Sequence, residues 1–578
     1  LAGAGLVCLL PGAAARAIRA TALSVAALSL VTVAVAVGLF IQAGPGGDFA
    51  LEKDIAWIGG PGSELAVIDI RYHVGLDGLS VWLLALTGLL TPLSVWASFS
   101  GIRHRLKEYY ALLLVLQTGM LGVFCAMDLL LFYIFFEFTL VPLFLIIGIW
   151  GGPERRRAAE KFFIYTIAGS VLTFAGILYL AWVGYQHSWP HRFSFDLRRL
   201  YSLAADGLLP TRVQWWLFLA FWAGFAIKVP LFPLHTWLPL AHTEAPTAGS
   251  VILAGVLLKL GTYGFLRFSL PMLPEAAVAF APFMAVLAIA GIIYGALCAW
   301  VQRDIKKLVA YSSVSHLGFC MLGMFSLKTA GLTGSLLYMV NHGLATGALF
   351  LVVGMIYERY HTRNIDQIGG LARRMPVMAF GLMIFVLASI ALPGLNGFVS
   401  EFLVLLGTFT SAEPATLAGR SVTGPLGISY AVVAATGIIL SAIYLLWMCR
   451  CVLFGPIKEP PHTPDISGGL RADLTGREIG VLAPIAALCI LLGVFPKPLL
   501  QTIEPAVQQQ VLVRVYAARA EPQAIQSPGD VVRAPPATPM QAHQADHSRG
   551  DRAVADSGSA MAELRQASVA RRSSRAIP

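Results

Sequence analysis

Apolar stretches long enough to cross a bilayer, each about 20 residues, alternate with short polar clusters from residue 20 to residue 500, and this rhythm predicts membrane-spanning helices. The runs occupy 20–42, 76–99, 109–127, 129–150, 160–186, 213–240, 247–270, 276–300, 305–325, 330–357, 376–411, 428–454 and 478–500. The opening LAGAGLVCLL is half that length and reads as part of a truncated first helix rather than a signal peptide, because no basic segment precedes it. With it, the fold class is an all-α polytopic membrane protein of about fourteen helices. Lys and Arg gather in alternate loops, as in Arg155, Arg156 and Arg157 or Lys306 and Lys307. That bias predicts a multi-pass protein of a bacterial cytoplasmic membrane with both termini outside.

Two runs depart from a straight crossing. Residues 213–240 contain Pro230, Pro233 and Pro239, and 376–411 is too long for one span and holds LPGLNG at 392–397. A proline lacks the N–H that would bond four residues back, so Pro230 is expected to free the carbonyl of Ala226, and Pro393 that of Ser389. Interrupted helices at matching places in two halves predict an inverted-repeat transporter with its site at the breaks. The halves are 109–270 and 271–454, five helices each, with broken helices 7 and 12. They follow an N-terminal section, 1–108, and precede a loop and last helix, 455–500. The spacings agree, with 91 residues from Glu137 to Lys228 and 85 from His316 to Glu401. From 501 to 578 the composition turns to Ala, Gln, Pro, Ser and Arg, which predicts a disordered tail after a short continuation.

Six ionisable residues fall inside the apolar runs: Glu137, Lys228, Lys259, His316, His342 and Glu401. Charge at membrane depth costs several kcal/mol and is by default functional. Taken singly, each lysine fits a structural ion pair and each histidine a satisfied core residue. Taken together, protonatable groups on separate helices leading to a carboxylate are what a stepwise proton wire needs, since desolvation brings buried amines and carboxyls toward neutral pH and imidazole is already there. Pro230, His235, Pro393 and Gly394 are then expected to line a cavity or break a helix. His235 and His242 could be weighed as haem ligands, but Pro239 lies between them, and polar lining of the cavity is favoured. Glu160 and Glu244 read as solvated loop charges, and Asp77 as a helix cap.

The composition narrows the class further. Only 12% of residues are charged and 57% are hydrophobic, so the net charge of +10 lies in loops between spans and does not mark a nucleic-acid partner. The seven cysteines form no CxxC pair and no ferredoxin-like spacing, so no iron–sulfur cluster, metal site or disulfide framework is expected.

The stretch AIKVPLFPLHTWLPLAHTEAPTAGSVILAGVLLKLGTYG (226–264) resembles the signature of the antiporter-like subunits of respiratory complex I, the NADH:quinone oxidoreductase. The likeness continues through VQRDIKKLVAYSSVSHLGF, NHGLATGALFLVVG and LPGLNGFVSEFLVLLG and covers roughly 70–500. Glu401 stands where sibling subunits and multisubunit Na⁺/H⁺ antiporters tend to carry lysine, and so points to the glutamate-bearing branch. The resemblance implies that Glu137, Lys228, Lys259, His316, His342 and Glu401 form a proton path. It implies that NADH, FMN, iron–sulfur clusters and quinone are held by partner subunits, that this chain binds no cofactor and performs no redox catalysis alone, and that its partners are membrane-arm subunits, including sibling antiporter-like chains. A multisubunit Na⁺/H⁺ antiporter or a membrane-bound hydrogenase is the alternative setting.

Overall fold

The computed structural model describes residues 1–44, 49–59, 67–188, 191–460 and 473–517. Eleven described helices are long and apolar enough to cross a membrane, from Ala15–Ala43 to Gly476–Val494. Three of them form the interior. Thr247–Met272 and Thr329–Tyr360 are buried along their whole apolar window, and Ile305–Phe325 over 94% of it, whereas Ala15–Ala43 and Gly476–Val494 expose most of theirs. Polar groups on the three interior helices therefore face protein, the only setting in which they escape the cost of contact with hydrocarbon.

Both proline-bearing stretches are interrupted. The first runs as Thr211–Lys228, an irregular turn, and Leu238–Glu244. The second runs as Pro376–Ser389, a break, and Asn396–Phe409. The carbonyl expected to be freed by Pro230 is not left open, because Leu231 N donates to Ala226 O at 2.9 Å. It is the Ile227 carbonyl that leaves the ladder, and the Trp237 indole N–H takes it at 2.9 Å. At the second break Gly394 has φ +93°, in open space, a conformation that a side chain would strain.

A third irregularity had no signal in the prolines. Thr247–Met272 is not uniform α-helix, since Leu253–Leu257 and Phe265–Ser269 are π-helical. The chain also stays helical past 500, through Lys497–Ala506 and Val507–Leu512 to Val513–Ala517, with Ile503, Val507, Val511 and Val515 buried. The short continuation expected past 500 is thus helical to Ala517, and the remainder of the tail, from 518, lies outside the described residues. An apolar face recurring every four residues explains the extension.

Before the second long span lies an antiparallel pair of strands, Ala50–Gly59 and Ile68–Leu76, and the latter also pairs parallel with Phe193–Ser194. His73 fastens it. Its Nδ1 lies 2.9 Å from Asp196 and its Nε2 2.7 Å from Glu52, which in turn receives both Arg198 amino groups at 2.8 Å. Two carboxylates on one ring require both nitrogens to donate, so the imidazolium is the form that fits. Burial opposes that charge, but the hydrogen bonds to Asp196 and Glu52, with Asp54 nearby, outweigh it and hold His73 above its ordinary value. The contribution to stability is complete below the unfolded-state pKa of about 6.5 and is lost as pH rises through the folded value. The protection factors of the Ala50–Gly59 amides, corrected for intrinsic base-catalysed exchange, are expected to fall on the alkaline side in the native protein and to lose this pH dependence in His73→Gln. An unchanged dependence in the variant would assign it to another group.

Candidate functional site

The site is built where three glycine-bearing helices press together. Gly343 of Thr329–Tyr360 lies against Thr247–Met272 so closely that a Cβ there would stand 2.8 Å from the Gly255 carbonyl. Close crossing at Gly255 brings the next turn, with Lys259, against the residue before Gly343, which is His342. Lys259 Nζ is 2.6 Å from His342 Nδ1 and also donates to the Ala254 carbonyl, five residues back. The widened turns of Leu253–Leu257 accommodate that reach. Lys259 is fully buried and makes no ion pair among the described residues, so the His342 ring nitrogen and the Ala254 carbonyl hold it.

A second seam runs antiparallel along the same helix. Asn341 Nδ2 donates to the Asn396 carbonyl at 2.7 Å and to Ser400 at 3.1 Å, and Gly334 leaves room for Leu403 and Val404. Between these contacts Tyr338 meets Glu401, donating its hydroxyl to Oε1. His316 comes in from Ile305–Phe325, its Nδ1 2.7 Å from the Tyr338 hydroxyl and 3.8 Å from Glu401 Oε1. The rings of His316 and His342 have centroids 5.8 Å apart. A water-sized cavity lined by His316, Tyr338, Asn341, His342 and Ser389 adjoins both rings. The Nε2 atoms of both histidines and Glu401 Oε2 are buried and bond to no other protein group.

Four of the six expected residues are thus brought together in one buried line, Lys259, His342, His316 and Glu401. The other two stand apart from it. Lys228, at the last turn of Thr211–Lys228, lies 4.3 Å from the Phe136 ring centroid and 3.4 Å from the Phe136 carbonyl. Glu137 is the next residue, half-buried, but it makes no ion pair with Lys228, and its Oε1 is buried without a partner. The helix of Lys228 touches that of Lys259 at Gly261, where a Cβ would stand 2.9 Å from Lys228 Cβ.

Pro230, Pro393 and Gly394 lie in the breaks. His235 packs between Phe232 and Tyr294, with ring centroids 5.7 and 5.2 Å away, and is not part of the line. His242 stacks on Phe350 at 4.5 Å, so the two histidines weighed as a pair occupy separate aromatic contacts. Glu160 is exposed, as a solvated charge should be, but on the helix Arg155–Gln186 rather than in a loop, whereas Glu244 is buried and accepts the Glu154 N–H at 3.0 Å. Its carboxylate is thus a loop staple instead of a solvated group.

Three contributors carried no signal in the reading of spans. Tyr338 and Asn341 sit one turn and one residue before His342, and an aromatic or an amide inside an apolar run reads as ordinary packing. Arg267 is the third. It is wholly buried with Asp77 at 2.6 Å, Gln510 at 2.8 Å and the Tyr263 hydroxyl at 3.0 Å. Asp77 does accept Leu79 and Ser80 N–H groups, as a cap would, yet its larger role is to neutralise this guanidinium.

Residues 126–426 match the family described as NADH:quinone oxidoreductase/Mrp antiporter, TM. Among curated proteins the chain is 45% identical over 482 residues to NADH-quinone oxidoreductase subunit M of Rhodobacter capsulatus, covering 83% of this chain and 87% of that one. It is 41% identical over 445 residues to NADH-ubiquinone oxidoreductase chain 4 of Marchantia polymorpha, covering 77% and 83%. Among solved structures it resembles a chain of respiratory complex I from Thermus thermophilus with bound NADH, at TM-score 0.74 and 30% identity over 89% of this chain and 97% of that one. A chain of the Mrp complex from Dietzia sp. DQ12-45-1b shares the fold at TM-score 0.72 and 19% identity, over 89% and 97%.

Proposed function

The chain belongs to the subunit M and chain 4 family of NADH:quinone oxidoreductases, and on that premise we propose that it is the proton-translocating membrane subunit of such a complex. The observation that carries this reading is the buried line Lys259–His342–His316–Tyr338–Glu401, in which each group can hold or pass a proton and none is a redox centre. Protons move along the line between the two breaks, with Lys228 and Glu137 setting the charge at one end. A carboxylate close to an ammonium stabilises it, and separation releases that hold, so a change in the Glu137–Lys228 distance is a switch. Electron transfer from NADH to quinone, with FMN and iron–sulfur clusters, takes place in partner subunits, and the membrane-arm siblings flank this chain. The membrane is the bacterial cytoplasmic membrane, with both termini outside.

The architecture consistent with this role has fourteen crossings. Thirteen of them are the eleven long spans and the two interrupted stretches, and Ala2–Leu9 is a further, eight-residue helix. The two breaks occupy matching places in an inverted repeat of five helices, which suits alternating access around a fixed site. The Na⁺/H⁺ antiporter and hydrogenase settings are disfavoured by Glu401 and by the relatives above 40% identity, which are subunit M and chain 4 proteins.

Purification of the tagged chain in mild detergent tests the setting. NADH:quinone reductase activity, with flavin and iron–sulfur absorbance, is expected to copurify with it. Recovery with antiporter subunits and no reductase activity would overturn the assignment.

A further inference from the structure

We propose that Tyr338 is a hydroxyl bridge that passes a proton between His316 and Glu401, an inference that rests on the proton-conducting reading of this line. His316 Nδ1 and Glu401 Oε1 are 3.8 Å apart, beyond hydrogen-bond reach, so the direct transfer between them is not set up. The Tyr338 oxygen lies 2.7 Å from that nitrogen and donates to that carboxylate oxygen. A phenol has one proton. Because it is given to Glu401, the contact with His316 requires the imidazole to donate from Nδ1. The three groups are therefore already aligned as donor, relay and acceptor.

Transfer needs no charge on the tyrosine at either end. The N–H bond of the His316 imidazolium breaks as an O–H bond forms at the Tyr338 oxygen, while the original Tyr338 O–H bond breaks and a new one forms at Glu401 Oε1. Imidazolium and carboxylate become imidazole and carboxylic acid, and a neutral phenol remains. Rotation of the hydroxyl about its C–O bond then restores the starting orientation.

Position supports this role over simple packing. Tyr338 stands one helical turn before His342, so the residue that receives Lys259 and the residue that contacts Glu401 share a face of Thr329–Tyr360. Its ring is held edge-on by His316 at 6.0 Å and Phe319 at 6.2 Å, which fixes where the hydroxyl points. Cys320 and Tyr444 are the other titratable neighbours, and neither intervenes between the bridged groups.

Tyr338→Phe keeps the ring and removes the hydroxyl. In the assembled complex, reconstituted in vesicles, pumping per electron is expected to fall to the level of Glu401→Gln, the loss of this subunit's contribution. The infrared band of the Glu401 carboxyl, assigned by its loss in Glu401→Gln, is expected to move to higher frequency because a donor has been removed. Wild-type pumping with Tyr338→Phe would overturn the bridge, provided that Glu401→Gln is impaired. If Glu401→Gln also pumps normally, the proton-conducting reading itself fails. Should Tyr338→Phe not assemble, a ring-fluorinated tyrosine at 338 retains shape and hydroxyl while acidifying the phenol. A bridge then predicts a shifted pH profile of pumping, and an unshifted profile overturns it.

Discussion

Alanine at Lys228, Lys259 or Glu401 is expected to leave the complex assembled and to depress both proton translocation and quinone reduction, translocation the more strongly, so that fewer protons move per electron. The reason is most direct at Lys259. Its removal deletes the donor to His342 and to the Ala254 carbonyl, and among the described residues no other protonatable side chain bonds to His342 Nδ1. Two buried acceptors then lose a partner, at about 1–3 kcal/mol each, which a large assembly can bear. At Glu401 the loss is of the carboxylate that receives Tyr338 and faces His316. At Lys228 the effect is electrostatic, since its ammonium does not bond to the line and acts by its charge. Native gels for assembly and a pH-sensitive dye in vesicles separate the two effects. Variants that fail to assemble would make these residues structural.

Arg267→Ala is expected to do the reverse and abolish assembly. Arg267 and Asp77 are both wholly buried, and the guanidinium gathers Asp77 from the segment before the second long span, Tyr263 from its own helix and Gln510 from the C-terminal helix. The Tyr201 hydroxyl bonds to the Arg267 carbonyl at 2.8 Å and Arg514 lies 3.9 Å from the Tyr201 ring centroid, so four segments meet at one joint. Removing one partner of such a pair leaves an uncompensated buried charge, at roughly 3–5 kcal/mol, whereas replacing both with apolar residues of similar volume is often tolerated. The single variant should therefore be lost from the membrane fraction on immunoblots, and Arg267→Met combined with Asp77→Leu should recover part of it. Normal abundance of Arg267→Ala would show that the joint is dispensable.

One ionisable residue in a long apolar run can be an ion pair or a satisfied core group, but several on separate runs point to a shared path, which is why Lys259, His316, His342 and Glu401 were legible as a set. The prolines and LPGLNG likewise announced both breaks, because their effect on the backbone is local. Arg267 was silent because it lies near a helix end, where an arginine ordinarily extends toward water, and its partners are 190 and 243 residues away. Tyr338 was silent because aromatic residues are common in membrane helices and only its distance from Glu401 distinguishes it. The crossing at Gly255 and Gly343 depends on two backbones approaching closely, and a single glycine in either run does not announce a partner. For Glu137 and Lys228, residue types suggested an ion pair, but spacing along the chain does not fix whether two side chains meet. They do not pair here, and a charge-coupled switch requires only that their distance vary.

The measurement that bears most directly on the central claim is the ratio of protons moved to electrons transferred, in vesicles holding an assembled Lys259→Ala complex, at matched rates of NADH oxidation. Translocation through the line Lys259–His342–His316–Tyr338–Glu401 predicts a ratio below that of the native complex, because this subunit no longer contributes. A ratio equal to the native value would show that protons do not pass through Lys259, and would contradict the account.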